Sequence, residues 1–567
     1  MEDIRIFCEN TGEHVEVPFG STLAELYQRI TASETVLGNP VMACLVDNKL
    51  KSLDYKIINP HNVRFIDYEH PDGRRTYIRS LCFVLQKVVR EMYPDKVLAI
   101  DYSLPSGLYC EIREVKPMDD GRPCVYFLTD DEIEKIEEGM LAIVKADLPF
   151  GKTMMSLEDC CSIFEQQHQV EKVNLLRTMG RFNYNVYTLG GTVDTFYGPL
   201  VPSTGLLTTF NIAGFNDGFC LQYPMEGDID KVLPMKRQSK LAMALEEHSD
   251  WCSIMDVRGV GTLNNAVLSG KIVDLINLSE ALHERKYAEI ANQIYARRGS
   301  VKIVFIAGPS SSGKTSTSKR LALQCRILGL NPRVIELDNY FVDRELTPRD
   351  ENGEYDFEAL GAMDLELLGK QLNELLEGKT VEIPRFDFVE GKKHFEGNFM
   401  QLHEKDILIM EGIHALNPAM IPGVDPSKVF RVYASALTSL SIDENNNIST
   451  SDNRMLRRMI RDNRTRGVNP ESTIMRWQSV RRGENRNIFP FQEHADAIFN
   501  SAHIFELPVL KYYAEPLLRR IPPHSPAFTE ASRMLKFLSC IVALTPAEIA
   551  AIPPTSILRE FIDGQTL

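Results

Sequence analysis

Apolar and polar residues alternate in short blocks over residues 1–68. Ile4-Arg-Ile-Phe7, Val15-Glu-Val17, Met42 to Val46 and Val63 to Ile66 predict strands, with one helix from Thr22 to Ile30. Pro18-Phe-Gly20-Ser-Thr22 supplies a turn and a helix cap, so a small β-rich module is predicted. A helix then runs through Leu85 to Met92. From Asp228 to Arg298 the pattern turns helical, with apolar residues at three- and four-residue steps over 236–248, 263–277 and 279–298. Ser279 is read as the cap of the last helix, and Arg297-Arg298-Gly299 as its basic final turn and C′ glycine. Ile303 to Ala307 is then continuously apolar, the pattern of a strand buried on both faces of a parallel sheet. A helix over 316–328, a strand over 333–337, a helix over 365–377 and strands over 407–410 and 429–432 follow. That alternation predicts an open parallel α/β sheet, whose ligands sit at the carboxyl ends of the strands. Beyond residue 521, a helix over 529–544 lies between two Pro-Pro pairs and is read as a packing appendage without chemistry.

The chain has 567 residues, enough for about three to five domains, and its apolar and charged fractions of 44% and 25% are ordinary globular values. A net charge of −15 gives no general attraction to nucleic acid or anionic membranes, so any such contact needs a local patch. The eleven cysteines form no C-x-x-C pair, which suits reduced thiols in a cytoplasm better than a disulfide framework or a zinc site. No apolar run approaches the ~20 residues of a membrane span, and Met1-Glu-Asp-Ile-Arg5 does not open like a signal peptide. A cytoplasmic protein is expected.

The candidate chemistry begins at Gly308-Pro309-Ser310-Ser311-Ser312-Gly313-Lys314-Thr315, which satisfies G-x-x-x-x-G-K-[ST] between a predicted strand and helix. Glycines let backbone N–H groups close around phosphate oxygens, and the helix N-terminus adds positive potential. Lys314 would reach the β- and γ-phosphates of ATP and the Thr315 hydroxyl would bind Mg²⁺. Asp338 and Glu411 each follow a predicted strand and would face the same crevice. Glu411 suits Mg²⁺ or its waters, and Asp338 suits an acceptor hydroxyl that must be oriented and deprotonated. Residues 454–486 hold ten arginines against three acids. Arg454, Arg458 and Arg461, with Arg457 and Arg464 alongside, crowd one side of a helix that Arg466-Gly467 ends. This is read as a lid over the phosphates, with RNA binding or a solvated face as the alternatives.

These landmarks, together with Asp338-Asn-Tyr-Phe341, Gly378 to Phe388 and Glu411-Gly-Ile413, resemble the uridine kinase and phosphoribulokinase group of P-loop kinases over residues 300 to about 520. The resemblance implies Asp338 as catalytic base and Arg458, Arg461 and Arg466 as lid arginines on the nucleotide phosphates. It places Glu358 where an aspartate grips the ribose hydroxyls. Residues that read the pyrimidine in uridine–cytidine kinases correspond here to Phe386, Gly391, Arg476 and Val468, so the polar readers of the base are gone. Phe341 and Phe386 are left to stack on a base or to act as core aromatics.

Residues 1–68 resemble a TGS domain. Tyr77 to Leu85 and Tyr197 to Gly205 resemble the editing-type domain of threonyl-tRNA synthetases, a likeness covering roughly residues 1 to 225. That family carries H-x-x-x-H and C-x-x-x-H at positions that are Arg79, Phe83, Phe196 and Leu200 here, so neither metal binding nor hydrolysis is expected. Arg74, Arg75 and Arg79 are the candidate phosphate contacts should RNA bind.

The expected organisation is a TGS-like module (1–68), a degenerate editing-like α+β domain (69–225), a helical connector (226–299), a P-loop α/β kinase domain with an open parallel sheet (300–520) and a helical tail (521–567). The expected activity is transfer of the γ-phosphoryl of ATP to a small alcohol, first of all the 5′-hydroxyl of a nucleoside. A sugar phosphate or another alcohol as acceptor, and an ATP-binding regulator responsive to RNA or tRNA, are the alternatives. Oligomeric state is left open.

Overall fold

The computed structural model describes residues 3–32, 36–232, 234–236, 238–349, 353, 355–421, 423–438 and 440–567. The first module is a five-stranded sheet in the order Glu13–Pro18, Asp3–Cys8, Asn62–Ile66, Ala43–Val46, Lys49–Lys51. Alternation along Asp3–Cys8 turns Ile4, Ile6 and Cys8 inward against the helix Leu23–Thr31. Thr22 and Glu25 cap that helix reciprocally, Thr22 Oγ1 accepting the Glu25 N–H at 3.2 Å and the Glu25 carboxylate accepting the Thr22 N–H at 2.8 Å.

The next domain is built on the 22-residue helix Pro71–Met92, packed on a four-stranded sheet in the order Asn211–Phe215, Gly218–Gln222, Gly107–Glu114, Lys96–Leu104. The four positions that carry metal-binding or hydrolytic groups in the synthetases gather here as packing residues. Phe83 and Phe196 meet edge to face with ring centroids 5.1 Å apart, Leu200 is buried beside them, and Arg79 donates to the Pro199 carbonyl at 2.7 Å. Arg74 and Arg75 are engaged internally, by Glu226 at 2.8 Å and by Asp72 and Glu530 at 2.7 and 2.9 Å.

The connector departs from expectation. Its helices are Ser239–Ile254, Val260–Leu268 and one unbroken 25-residue helix, Ile272–Ala296. The break falls at Gly270, whose φ of +74° ends the preceding helix, and not before Ser279. Ser279 is an interior residue of the long helix, buried with its hydroxyl 2.9 Å from His503 Nδ1. Gly299 is not among the left-handed glycines. Apolar periodicity runs unchanged through residues 277–279, so a serine with an acid after it imitated a cap.

The C-terminal half is organised on a wholly parallel five-stranded sheet in the order Asn331–Glu336, Asp406–Glu411, Ile303–Ala307, Val429–Ser435, Ala497–Asn500. Ile303–Ala307 lies in the middle and every one of its residues is buried. Just before the arginine-rich helix Thr450–Arg466, the short antiparallel pair Ser441–Asp443 and Asn446–Asn447 inserts into the editing-like domain, where Ile100 N–H donates to the Glu444 carbonyl at 2.8 Å. The tail helix is Phe528–Leu538, shorter than expected. The residues after it return to the phosphate loop, so this segment is more than a distant appendage. No disulfide joins any of the eleven cysteines, all of which lie among the described residues. Among the described residues no helix is long and apolar enough to cross a membrane.

Candidate active site

The central strand ends at Ala307 and releases the phosphate loop at the carboxyl edge of the sheet. Gly308 is required there by close approach, since a Cβ on it would lie 1.9 Å from the Ala434 carbonyl oxygen. Ser311, at φ +57°, holds a left-handed conformation without being glycine, and Gly313 follows at φ +80° as the helix Lys314–Ile327 begins. The Ser311 and Ser312 hydroxyls are buried without a hydrogen-bond partner among the described residues. Two orphaned hydroxyls beside a helix N-terminus fit a group rich in acceptor oxygens, such as phosphate.

Glu411 closes the neighbouring strand and accepts the Thr315 hydroxyl at 2.6 Å. Burial pushes its carboxyl up to about 7, the Lys314 ammonium opposing and the Asp338 charge adding to the rise. Thr315 and Glu411 together offer hard oxygen ligands of the kind Mg²⁺ takes. Asp338 sits in the single turn Leu337–Tyr340 directly after the edge strand. That turn is fixed from both sides, by the Tyr340 hydroxyl on Gln371 at 2.8 Å and by the Asp364 N–H on the Tyr340 carbonyl at 2.7 Å. Burial raises the Asp338 carboxyl from its ordinary value, Lys314 and Arg466 oppose the rise, and Glu336 adds to it. The Glu358 carboxyl is pushed up to about 7, first by burial and then by Glu484, with Arg458 and Lys314 opposing. Gly483 lets the helix Pro470–Asn487 press against Glu358, for a Cβ there would fall 2.6 Å from the Glu358 Cβ.

The arginine-rich helix is divided in its duties. Arg454 and Arg457 are fully buried. Arg454 forms a two-pronged pair with Glu484, its Nη2 at 2.7 Å from Oε2, and Arg457 pairs with Glu506 and donates to the Ser501 carbonyl at 2.8 Å. These two belong to the core between helices and not to an open arginine face. Arg458 does reach the phosphate loop, donating to Ser310 Oγ at 2.9 Å. Arg461 and Arg466 gather with Arg458 on Asp462, at 2.8, 3.6 and 3.3 Å. Arg464 turns the other way, to Asp563 of the tail at 2.9 Å.

Phe341 and Phe386 are buried in the hydrophobic core, ring centroids 5.7 Å apart, and Phe388 extends this cluster to the surface. Arg476 is exposed on the helix Pro470–Asn487, and no hydrogen bond or ion pair joins it to the site among the described residues. Pattern reading passed over Glu484. It accepts the Ser310 backbone N–H at 3.1 Å while holding Arg454, which ties the phosphate loop to two helices. Its signal was present as an acid inside a strongly basic run, where a buried arginine needs a partner. Glu560, which accepts from Ser316, was also passed over, and nothing in the local sequence marked it.

A parallel sheet that delivers G-x-x-x-x-G-K-T at its central strand, with Glu411 at the end of one neighbouring strand and Asp338 just after the edge strand Asn331–Glu336, defines the C-terminal half as a P-loop kinase fold. Residues 303–506 match the Phosphoribulokinase / Uridine kinase family. The N-terminal region is similar to threonine–tRNA ligases. The likeness is 27% identity over 198 residues to that of Desulforamulus reducens, covering 35% of this chain and 29% of the relative. It is 29% over 200 residues to that of Carboxydothermus hydrogenoformans, covering 34% and 30%. The chain thus spans about three tenths of the length of these curated relatives. Among solved structures, a possible uridine kinase from Bacillus stearothermophilus aligns at 19% identity and TM-score 0.25, covering 35% of this chain and 89% of that one. D-glycerate 3-kinase from Cryptococcus neoformans aligns at 12% and 0.20, covering 45% and 87%.

Proposed function

We propose that this protein transfers the γ-phosphoryl group of ATP to a hydroxyl of a small molecule, with the 5′-hydroxyl of a nucleoside as the leading acceptor. The observation that carries this reading is convergence on one ammonium: Asp338, Glu358 and Glu411 come from three separate segments, and all three feel the Lys314 charge. The amides from Gly308 to Lys314 would cradle the phosphates. Thr315 and Glu411 would hold Mg²⁺, which when bound neutralises charge on the β- and γ-phosphates. Asp338 orients the acceptor hydroxyl and takes its proton, for which a carboxyl raised by burial is better matched than an exposed one. Glu358 accepts hydroxyls of the acceptor, and Arg458, Arg461 and Arg466 offset charge that spreads over the transferring group. The synthetase-like half lacks the residues for ester hydrolysis and serves as a scaffold for the kinase half.

The test is ADP release from the full-length protein with Mg-ATP across a panel of nucleosides, with Asp338→Asn alongside. Stimulation by a nucleoside that disappears in the variant supports the reading. No stimulation by any nucleoside removes that acceptor class.

One observation favours a second acceptor class, an alcohol that carries an anionic group. The structure packs Arg344 over Gly391, a Cβ at Gly391 falling 2.7 Å from Arg344 Nε, and Arg344 donates to the Phe388 carbonyl at 2.6 Å. No ion pair neutralises Arg344 among the described residues. A cation beside the apolar cluster suits a sugar phosphate, so sugar phosphates belong in the same panel.

A further inference from the structure

The amide that follows the phosphate-loop threonine is already bound to an anion of the protein itself. Ser316 stands in the first turn of the helix Lys314–Ile327, where backbone N–H groups have no partner within the helix. Its N–H donates to Glu560 Oε2 at 3.3 Å and its hydroxyl donates to the same oxygen at 2.5 Å. Gln565 Nε2 donates to the Ser316 hydroxyl oxygen at 2.6 Å. Both contacts come from the C-terminal segment, nearly 250 residues away in sequence.

The segment is held firmly around this carboxylate. Ile557 is fully buried against Gly313, where a Cβ would fall 2.4 Å from Ile557 Cδ1. Phe561 and Ile562 are buried as well. Lys319, on the phosphate-loop helix, donates to the Leu567 carbonyl at 3.0 Å. Arg464, on the arginine-rich helix, donates to the Glu560 carbonyl at 3.0 Å and pairs with Asp563 at 2.9 Å. The backbone of the segment is therefore anchored to both the phosphate loop and the helix of Arg458, and the Glu560 side chain is the part that reaches Ser316.

In a G-x-x-x-x-G-K-[ST] loop, amides at the start of the helix cradle the α- and β-phosphates. A phosphate and a carboxylate cannot share one pair of donors, because both are anions and each needs the same two hydrogens. We infer that Glu560 is an intramolecular competitor for the nucleotide phosphate that binds at Ser316, and that nucleotide entry requires its side chain to swing away. The buried neighbours Ile557, Phe561 and Ile562 keep the segment in place, so the change is a local exchange of carboxylate for phosphate. This inference rests on the reading of the loop as a nucleotide site.

The test is equilibrium binding of ADP and adenosine to the full-length chain by calorimetry, for wild type, Glu560→Gln, Glu560→Ala and Lys314→Ala, each checked by thermal melting. Glu560→Gln keeps the side-chain shape and removes the charge, so it covers the case in which Glu560→Ala fails to fold. ADP is expected to bind roughly tenfold tighter to the Glu560 variants, with adenosine, which has no phosphate, unchanged. If wild type binds ADP in a Lys314-dependent way and both folded Glu560 variants bind it equally or more weakly, the competitor role is overturned while the nucleotide site stands. If folded wild type and Glu560 variants all fail to bind ADP, the nucleotide reading and this inference fall together.

Discussion

Glu444 accepts the backbone N–H of Glu171 at 2.7 Å and, with its other oxygen, that of Lys172 at 3.1 Å. The carboxylate caps the first turn of the helix Val170–Thr178 from a different domain, since Glu444 belongs to the turn leading into the arginine-rich helix. Beside it, the fully buried Lys172 ammonium is shared between Asp194 and Asp443, the latter at 3.6 Å. The synthetase-like half and the segment leading to the arginine-rich helix of the kinase half are therefore joined by a charged, buried contact.

Removing Lys172 should show how far this junction supports the fold. Lys172→Met leaves two carboxylates buried without their cation, and the loss of one partner from a buried ion pair costs about 3–5 kcal/mol. The urea midpoint of the full chain is expected to fall accordingly. A midpoint unchanged from wild type would mean that water reaches the junction.

The two kinds of arginine on the helix Thr450–Arg466 should separate experimentally. Arg457→Ala strands the buried Glu506 carboxylate and is expected to cost about 3–5 kcal/mol in denaturant unfolding. Arg458→Ala removes a contact to Ser310 Oγ and should leave unfolding nearly unchanged while kcat falls at least tenfold. A reversed pattern would contradict the division of the helix into core and site residues.

For Asp338→Asn the expected outcome is a fall in kcat of about 10²–10⁴-fold, the range for loss of a general base. ATP affinity, measured by calorimetry, should change little, because the proposed role of Asp338 is on the acceptor. A parallel loss of ATP affinity would instead assign Asp338 to the nucleotide.

The Glu358 carboxyl, pushed up to about 7 by burial and then by Glu484, should give acceptor binding a pH dependence. A hydroxyl donates best to the ionised form, and the ionised fraction grows as pH rises through 7. The acceptor KM is therefore expected to fall between pH 6 and 8 and to level off above. Glu358→Gln should raise the KM and flatten its profile over the same interval. A wild-type profile as flat as the variant's would remove Glu358 from the acceptor site.

Local pattern sufficed where one segment carries its own instruction. The run Ile303–Ala307 followed by Gly308 to Thr315 contains both the buried strand and the loop chemistry, and Thr22 with Glu25 contains a complete cap within four residues. The strand-end positions of Asp338 and Glu411 follow from the same logic, because the carboxyl edge of a parallel sheet is defined by where each apolar run stops. Phe83 and Phe196, apolar where the resemblance implies ligating groups, could be read from the sequence as packing residues, and they meet edge to face in the core.

Tertiary structure decided what depends on partners far along the chain. Arg454, Arg457 and Arg458 are neighbours with equal charge and equal helix propensity. Only Glu484 and Glu506, brought in by other helices, make the first two core residues and leave the third to the loop. The end of one connector helix at Gly270, and the passage of the next through Ser279, turned on backbone conformation and on burial against His503, neither of which periodicity records. Glu444 at the start of a synthetase-like helix and Glu560 on Ser316 join segments more than 240 residues apart. A single carboxylate in a sequence carries no sign of which distant N–H groups it will meet, because that pairing is set by the packing of whole domains and not by the chain around it.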